Sequence, residues 1–155
     1  MKGRKLIIGC GNPLRGDDGA GWEVASRLAA LIPDEAAQIT TVLQLTPELA
    51  EPVSEADLVV FIDADQSGNP GTWRCDEVTQ RSLSGNSIGH HFDVFDLLAC
   101  SRTIFDASPR AFVVSLSAES FEFQDKLTPA VEALLPDVVG FLLLFIANTP
   151  EPAGS

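Results

Sequence analysis

Positive charge is scarce in this sequence. Ten lysines and arginines stand against 22 aspartates and glutamates, a formal charge of −12 over 155 residues. A surface this acidic repels phosphate backbones, which argues against a nucleic-acid partner. Cysteine is scarce too: Cys10, Cys75 and Cys100 are an odd number, far apart, with no CxxC spacing. Neither a disulfide framework nor a zinc knuckle fits that arithmetic, and three ordinary thiols in a reduced, cytoplasmic protein are expected. No apolar run is long. Val138 to Ala147 spans ten residues, about half of what a bilayer requires, so no membrane span is expected. The apolar stretch behind the basic start (Lys2, Arg4, Lys5) stops at Gly9, too short for a signal-peptide core. Histidine occurs only as the adjacent pair His90 and His91. Any site that needs an imidazole must use one of them.

What is present is a globular composition, 45% apolar and 21% charged, at a length that suits one domain. Lys5-Leu6-Ile7-Ile8, Leu58 to Ile62 and Ala111 to Leu116 read as strands buried on both faces. Ile39 to Leu45 reads as a further strand, and Thr72 to Val78 as one returning near a sheet edge after the turn Gln66 to Gly71. Helical spacing runs through Trp22 to Leu31, stopped by Pro33, and through Phe92 to Cys100. A short helix is expected over Glu48 to Ser54, behind Thr46-Pro47. A last helix is expected after Thr128-Pro129, kinked or split at Pro136. The order β-α-β-α-β-β-α-β-α points to a three-layer α/β/α domain with a twisted, mostly parallel five-stranded sheet over residues 1–150, followed by a loose tail, 151–155.

Such sheets bind ligands beyond the carboxyl ends of their strands, so the polar residues after each strand are the candidates. The first loop reads Gly9-Cys10-Gly11-Asn12-Pro13-Leu14-Arg15-Gly16-Asp17-Asp18-Gly19-Ala20-Gly21. Leu14 stands where a dinucleotide fingerprint needs its third glycine, no Gly-Lys-Ser/Thr follows, and two aspartates would repel a pyrophosphate. Those aspartates can cap the following helix or serve a site; the loop alone leaves both open. Asp63 follows five apolar residues, where an unpaired charge is costly and needs a donor, a helix N-terminus or a metal. Asp65 is expected to point elsewhere if the strand continues, which favours Asp63. Asp18, Asp63 and His90 can converge at the sheet edge, and two hard oxygens with one imidazole suit Ni²⁺ or Zn²⁺. Gly-x-Ser-x-Gly and HExxH are absent, and no cysteine has a histidine at a recognisable family spacing.

The first loop resembles the signature of the hydrogenase maturation proteases, a GxGN turn continuing to an acidic pair and glycine. Three more segments are similar in order and spacing: Phe61-Ile62-Asp63-Ala64 with Gly68-Asn69-Pro70-Gly71; His90 with Leu97-Leu98; and Ala118-Glu119-Ser120 with Leu127-Thr128-Pro129-Ala130-Val131. The resemblance runs from residue 5 to about 147. It implies a twisted, mostly parallel sheet between helices. It also implies an endopeptidase that removes a C-terminal extension from the precursor of a nickel-iron hydrogenase large subunit once nickel has been inserted. The family's metal-contacting acid, acid and histidine map onto Asp18, Asp63 and His90, with His90 preferred to His91 for its distance to the next helix. Asp18 and Asp63 are the candidate catalytic carboxylates. Nickel is carried by the substrate, no tightly bound cofactor is implied, and a monomer is expected. Two departures concern other positions. Gln44-Leu45-Thr46-Pro47 replaces an Asp and glycines common in the family, and Ala118 replaces the proline before Glu-Ser. A non-catalytic, metal-dependent checkpoint that only binds the precursor is the alternative.

Overall fold

The computed structural model describes residues 3–79 and 92–149. Five strands form one sheet in the order β2-β1-β3-β5-β4: β1 Lys5–Cys10, β2 Gln38–Val42, β3 Leu58–Asp65, β4 Trp73–Glu77 and β5 Arg110–Ser117. All pairings are parallel except that of β4 with β5, at the edge. The helices are α1 Ala20–Leu31, α2 Ala50–Ser54, α3 Val94–Phe105, α4 Pro129–Glu132 and α5 Leu135–Asn148, with 3-10 turns at Gly16–Gly19 and Pro47–Leu49. This is the α/β architecture the sequence predicts.

The strands assign the layers through their period of two. Leu58, Val60, Ile62 and Ala64 pack with Val24 and Leu28 of α1 and Leu135, Val138 and Leu142 of α5. Val59 and Phe61 point the other way, onto Val53 of α2 and Leu97 of α3. Both faces are therefore apolar, which is why β3 reads as an unbroken hydrophobic run.

Several boundaries differ from expectation for physical reasons. β2 stops at Val42 because its partner β1 stops at Cys10. The Val42 carbonyl then accepts bonds from Gly11 N (3.0 Å) and Trp22 Nε1 (3.0 Å). The helix expected over 92–100 starts at Val94, where Asp93 and Asp96 form a reciprocal capping box, and ends at Phe105 before the left-handed Asp106. The last helix is split ahead of Pro136, which sits in the first turn of α5. The apolar stretch is also longer than expected. Pro129–Asn148 spans 20 residues and contains an 18-residue window of mean hydropathy 2.1, enough by length and composition to cross a bilayer. In the fold, Val131, Leu135, Val138, Leu142 and Ile146 belong to the core cluster on the α1 side of the sheet.

Because β2 lies on one side of β1 and β3 on the other, the strand order reverses between β1 and β3. That crevice is the topological switch point of the sheet. The start of α1 reaches it closely through Gly21: a Cβ there would run into the Ile62 carbonyl and lie 2.8 Å from the Cys10 carbonyl oxygen. Both obstacles are strand backbone and cannot swing aside. Gly21→Ala is therefore expected to destabilise the fold by about 2–3 kcal/mol. Gly140→Ala, on α5 with nothing within 4 Å of the added carbon, should stabilise by about 0.5–1 kcal/mol. Urea titration of both variants checks the pair.

Candidate active site

The loop leaving β1 turns at Gly11, whose φ of +132° and close approach to the Asp18 carbonyl exclude a side chain. It then enters the 3-10 turn Gly16–Gly19, which carries Asp17 and Asp18. The two aspartates have different fates. Asp17 is fully buried. Its Oδ2 accepts from Glu119 N (2.8 Å) and Ser120 N (3.1 Å), and its Oδ1 from Thr128 N (2.7 Å). The Thr128 hydroxyl lies 3.0 and 2.8 Å from the two oxygens. The capping role left open for this pair is not what Asp17 performs: neither the 3-10 turn nor α1 has a side-chain cap bond. Asp17 instead ties the first loop to the loop after β5 and to the start of α4, over more than 100 residues of chain.

Asp18 is half-buried and accepts from Asn12 N at 2.9 Å. Asp63 lies inside β3, which runs on to Asp65. Side chains two apart share a face of a strand, so Asp65 does not point away as expected. It lies on Asp63's side, held by Arg74 (3.1 Å) and by the Ser67 hydroxyl (3.0 Å). Asp63 stands in a polar row across the sheet, between Cys10 at the end of β1 and its register partner Ser115 on β5. Its Oδ1 is buried with no hydrogen-bond partner among the described residues.

The electrostatics follow from this placement. Burial first, and then the neighbouring charge of Asp65, lift Asp63 from the usual 3.8 to about 6. Hydrogen bonding to Ser115 and the charge of Arg74 pull the other way, and Asp18 adds a smaller upward push. Cys10 is pushed up to about 12 by burial, then by Asp63 and Asp18. It stays a thiol at neutral pH and is no nucleophile. The shifts place Cys10, Asp18 and Asp63 in one electrostatic neighbourhood at the β1–β3 switch point. A carboxylate with an unused buried oxygen and a pKa near neutrality can accept a cation or act as a general base. No three ligand-type side chains among the described residues are placed to hold a metal ion. His90 and His91, the sequence's imidazole candidates, lie outside the described residues.

The site and sheet thus define an α/β domain with a carboxylate pair at its switch point. No protein-family model matches the chain, and no curated protein matches its sequence. Solved structures do. The chain is similar to the hydrogenase maturating endopeptidase HybD from E. coli, with 26% identity, 94% of this chain and 93% of that one covered, and a TM-score of 0.79. It shares its fold with the [NiFe] hydrogenase maturation protease HycI from Thermococcus kodakarensis (19% identity, 95% and 94% covered, TM-score 0.73). It also shares it with a hydrogenase 2 maturation peptidase from a Thaumarchaeota archaeon (23%, 95% and 99%, 0.68). The resemblance to the hydrogenase maturation protease family read from four sequence blocks therefore holds over nearly the whole chain in three dimensions.

The contrast between Asp17 and Asp63 generates two predictions. Asp17→Ala leaves three amide donors and the Thr128 hydroxyl without their buried acceptor and should cost about 3 kcal/mol, whereas Asp18→Ala should cost about 1 kcal/mol. Denaturant unfolding of the two variants tests this. For Asp63 the folded-state pKa is raised, so the fold prefers the protonated acid. The penalty for ionisation is absent below about pH 4, grows as pH rises and is complete above about pH 6. Asp63→Asn should therefore be more stable than wild type at pH 7.5, by on the order of 2 kcal/mol, with the gap closing by pH 4. A gap independent of pH would contradict the burial argument.

Proposed function

We propose that this chain is an endopeptidase that removes the C-terminal extension of a nickel-iron hydrogenase large-subunit precursor after nickel insertion. It recognises the nickel already bound in the precursor through Asp18, Asp63 and His90. The observation that carries this reading is the full-length likeness to the E. coli maturating endopeptidase at 26% identity, together with the carboxylate pair at the switch point. The orphaned Oδ1 of Asp63 supports it independently, because a buried carboxylate oxygen without a donor is the chemistry a cation satisfies.

In this mechanism the protein needs no tightly bound metal of its own. The nickel belongs to the substrate, held by the precursor's cysteine thiolates, and His90 supplies the imidazole. Docking against the edge of β1 and β3 brings the scissile peptide beside Asp18 and Asp63. Asp63, titrating near neutrality, is suited to take a proton from the attacking water; the substrate's nickel can polarise the same water. The protein acts as a monomer in the cytoplasm, where the precursor is assembled.

Gel-shift analysis of nickel-loaded precursor, beside a nickel-free control, tests the reading. The extension should be lost only from the loaded form. Asp18→Asn and His90→Ala should keep their melting temperatures within a few degrees and lose processing by about a hundredfold or more. Normal processing by either variant overturns the site assignment. Binding without cleavage by the wild-type protein would move the function to a maturation checkpoint.

A further inference from the structure

Beside the carboxylates, the same edge of the sheet carries an exposed cation without an ionic partner. Among the described residues, Arg27, Arg74 and Arg110 each hold a carboxylate; Arg4, ahead of β1, and Arg102, near the end of α3, hold none but do not lie on the loop that carries Asp18. Arg15 holds none among the described residues; its guanidinium lies 5.6 Å from the centroid of the Phe123 ring. Phe123 is 79% exposed, the highest of the exposed large apolar side chains among the described residues, and Leu14, next to Arg15 in the chain, is 57% exposed. Single exposed apolar residues are ordinary. These are not scattered. Gln124 N donates to the Leu14 carbonyl (3.0 Å) and Gly16 N to the Gln124 carbonyl (2.9 Å), a parallel bridge that sets Arg15 against Gln124. The buried Asp17 follows at once and clamps both chain segments together. Leu14 and Arg15, just ahead of Asp18, and Phe123 on the facing segment are thus presented on a braced backbone.

Arginine and aromatic side chains, here Arg15 over the Phe123 ring, are the types enriched at protein interfaces. Bracing lowers the ordering cost of engaging a partner. The charge context says which partner. In a chain with a net charge of −12, Arg15 offers an approaching carboxylate a local attraction beside the site, between the exposed Glu122 and Asp125 of the facing segment.

Building on the protease reading, we propose that Leu14, Arg15 and Phe123 form a docking lip for a segment of the precursor polypeptide in which a carboxylate sits beside an apolar side chain. The carboxylate meets the guanidinium and the apolar group lies against Phe123 and Leu14. The lip contributes binding of the precursor beside Asp18 and Asp63 without touching the reacting bond.

Processing kinetics on nickel-loaded precursor test the lip. Arg15→Glu should raise KM about tenfold and Phe123→Ala several-fold, with kcat unchanged and thermal melting unaltered. Arg15→Lys should recover part of the loss. Changing the acidic residues of the precursor near its scissile bond to lysine, one at a time, should yield one substitution that restores KM for Arg15→Glu. Unchanged KM in both variants overturns the proposal. So does an Arg15→Glu effect confined to oligomeric state in sedimentation, which would make the lip a contact between copies of this chain. Calorimetric binding of the precursor to Asp18→Asn, with and without Arg15→Glu, separates the lip from the catalytic reading. Weaker binding in the double variant supports the lip even where nothing is cleaved, and equal binding rejects it.

Discussion

One buried carboxylate organises the functional edge of this protein. Asp17 has no solvent exposure, and its two oxygens are satisfied by three backbone amides and one hydroxyl from segments more than 100 residues away. A charge so placed is costly unless it is fully bonded, and here the bonding comes entirely from tertiary structure. The first loop is thereby fixed to the loop after β5 and to the start of α4. Asp18 follows it directly, and the ladder of Leu14–Gly16 with Gln124 precedes it. Two of the four sequence blocks that resemble the maturation proteases, the first loop and the Glu-Ser and Leu-Thr-Pro elements, are the two that Asp17 joins.

Asp63 is the opposite case. It sits in the best-formed strand of the sheet, between two apolar layers, and one of its oxygens has no partner among the described residues. Its raised pKa is the electrostatic expression of that unmet need. A fold tolerates such a group where function uses it, and the neighbouring ion pair of Asp65 with Arg74 limits the cost by compensating the second acid. The β1–β3 switch point thus combines a rigid, satisfied anchor with a carboxylate oxygen that has no partner among the described residues. That combination is what supports the proposed recognition of a cation carried by the substrate.

Much of the architecture was legible in the sequence. β1, β3 and β5 declare themselves as apolar runs because both of their faces are covered, and β4 follows from the turn before it. The end of β2 was not legible, since it depends on where β1 ceases to pair. The difference between Asp17 and Asp18 was hidden for a similar reason. Two identical neighbours are separated only by the direction a 3-10 turn gives them, and the donors that claim Asp17 lie far along the chain. The one available signal was indirect: Glu119-Ser120 and Thr128 stood out as motif segments without a stated purpose, and Asp17 is that purpose. Asp65 was misplaced by a parity error that the period of a strand corrects. Ser115, which tempers Asp63, lay unmarked within an apolar run.

The proposed function turns on whether Asp18 and Asp63 meet the nickel in the precursor. Nickel K-edge absorption spectra of loaded precursor, frozen within milliseconds of mixing with this protein, measure that directly. New oxygen or nitrogen scatterers should appear at about 2.0–2.2 Å with the wild-type protein, fall in number with the Asp18→Ala/Asp63→Ala double variant, and be absent when His90→Ala is added to it. An unchanged nickel environment in a mixture that nonetheless processes the precursor would contradict the account.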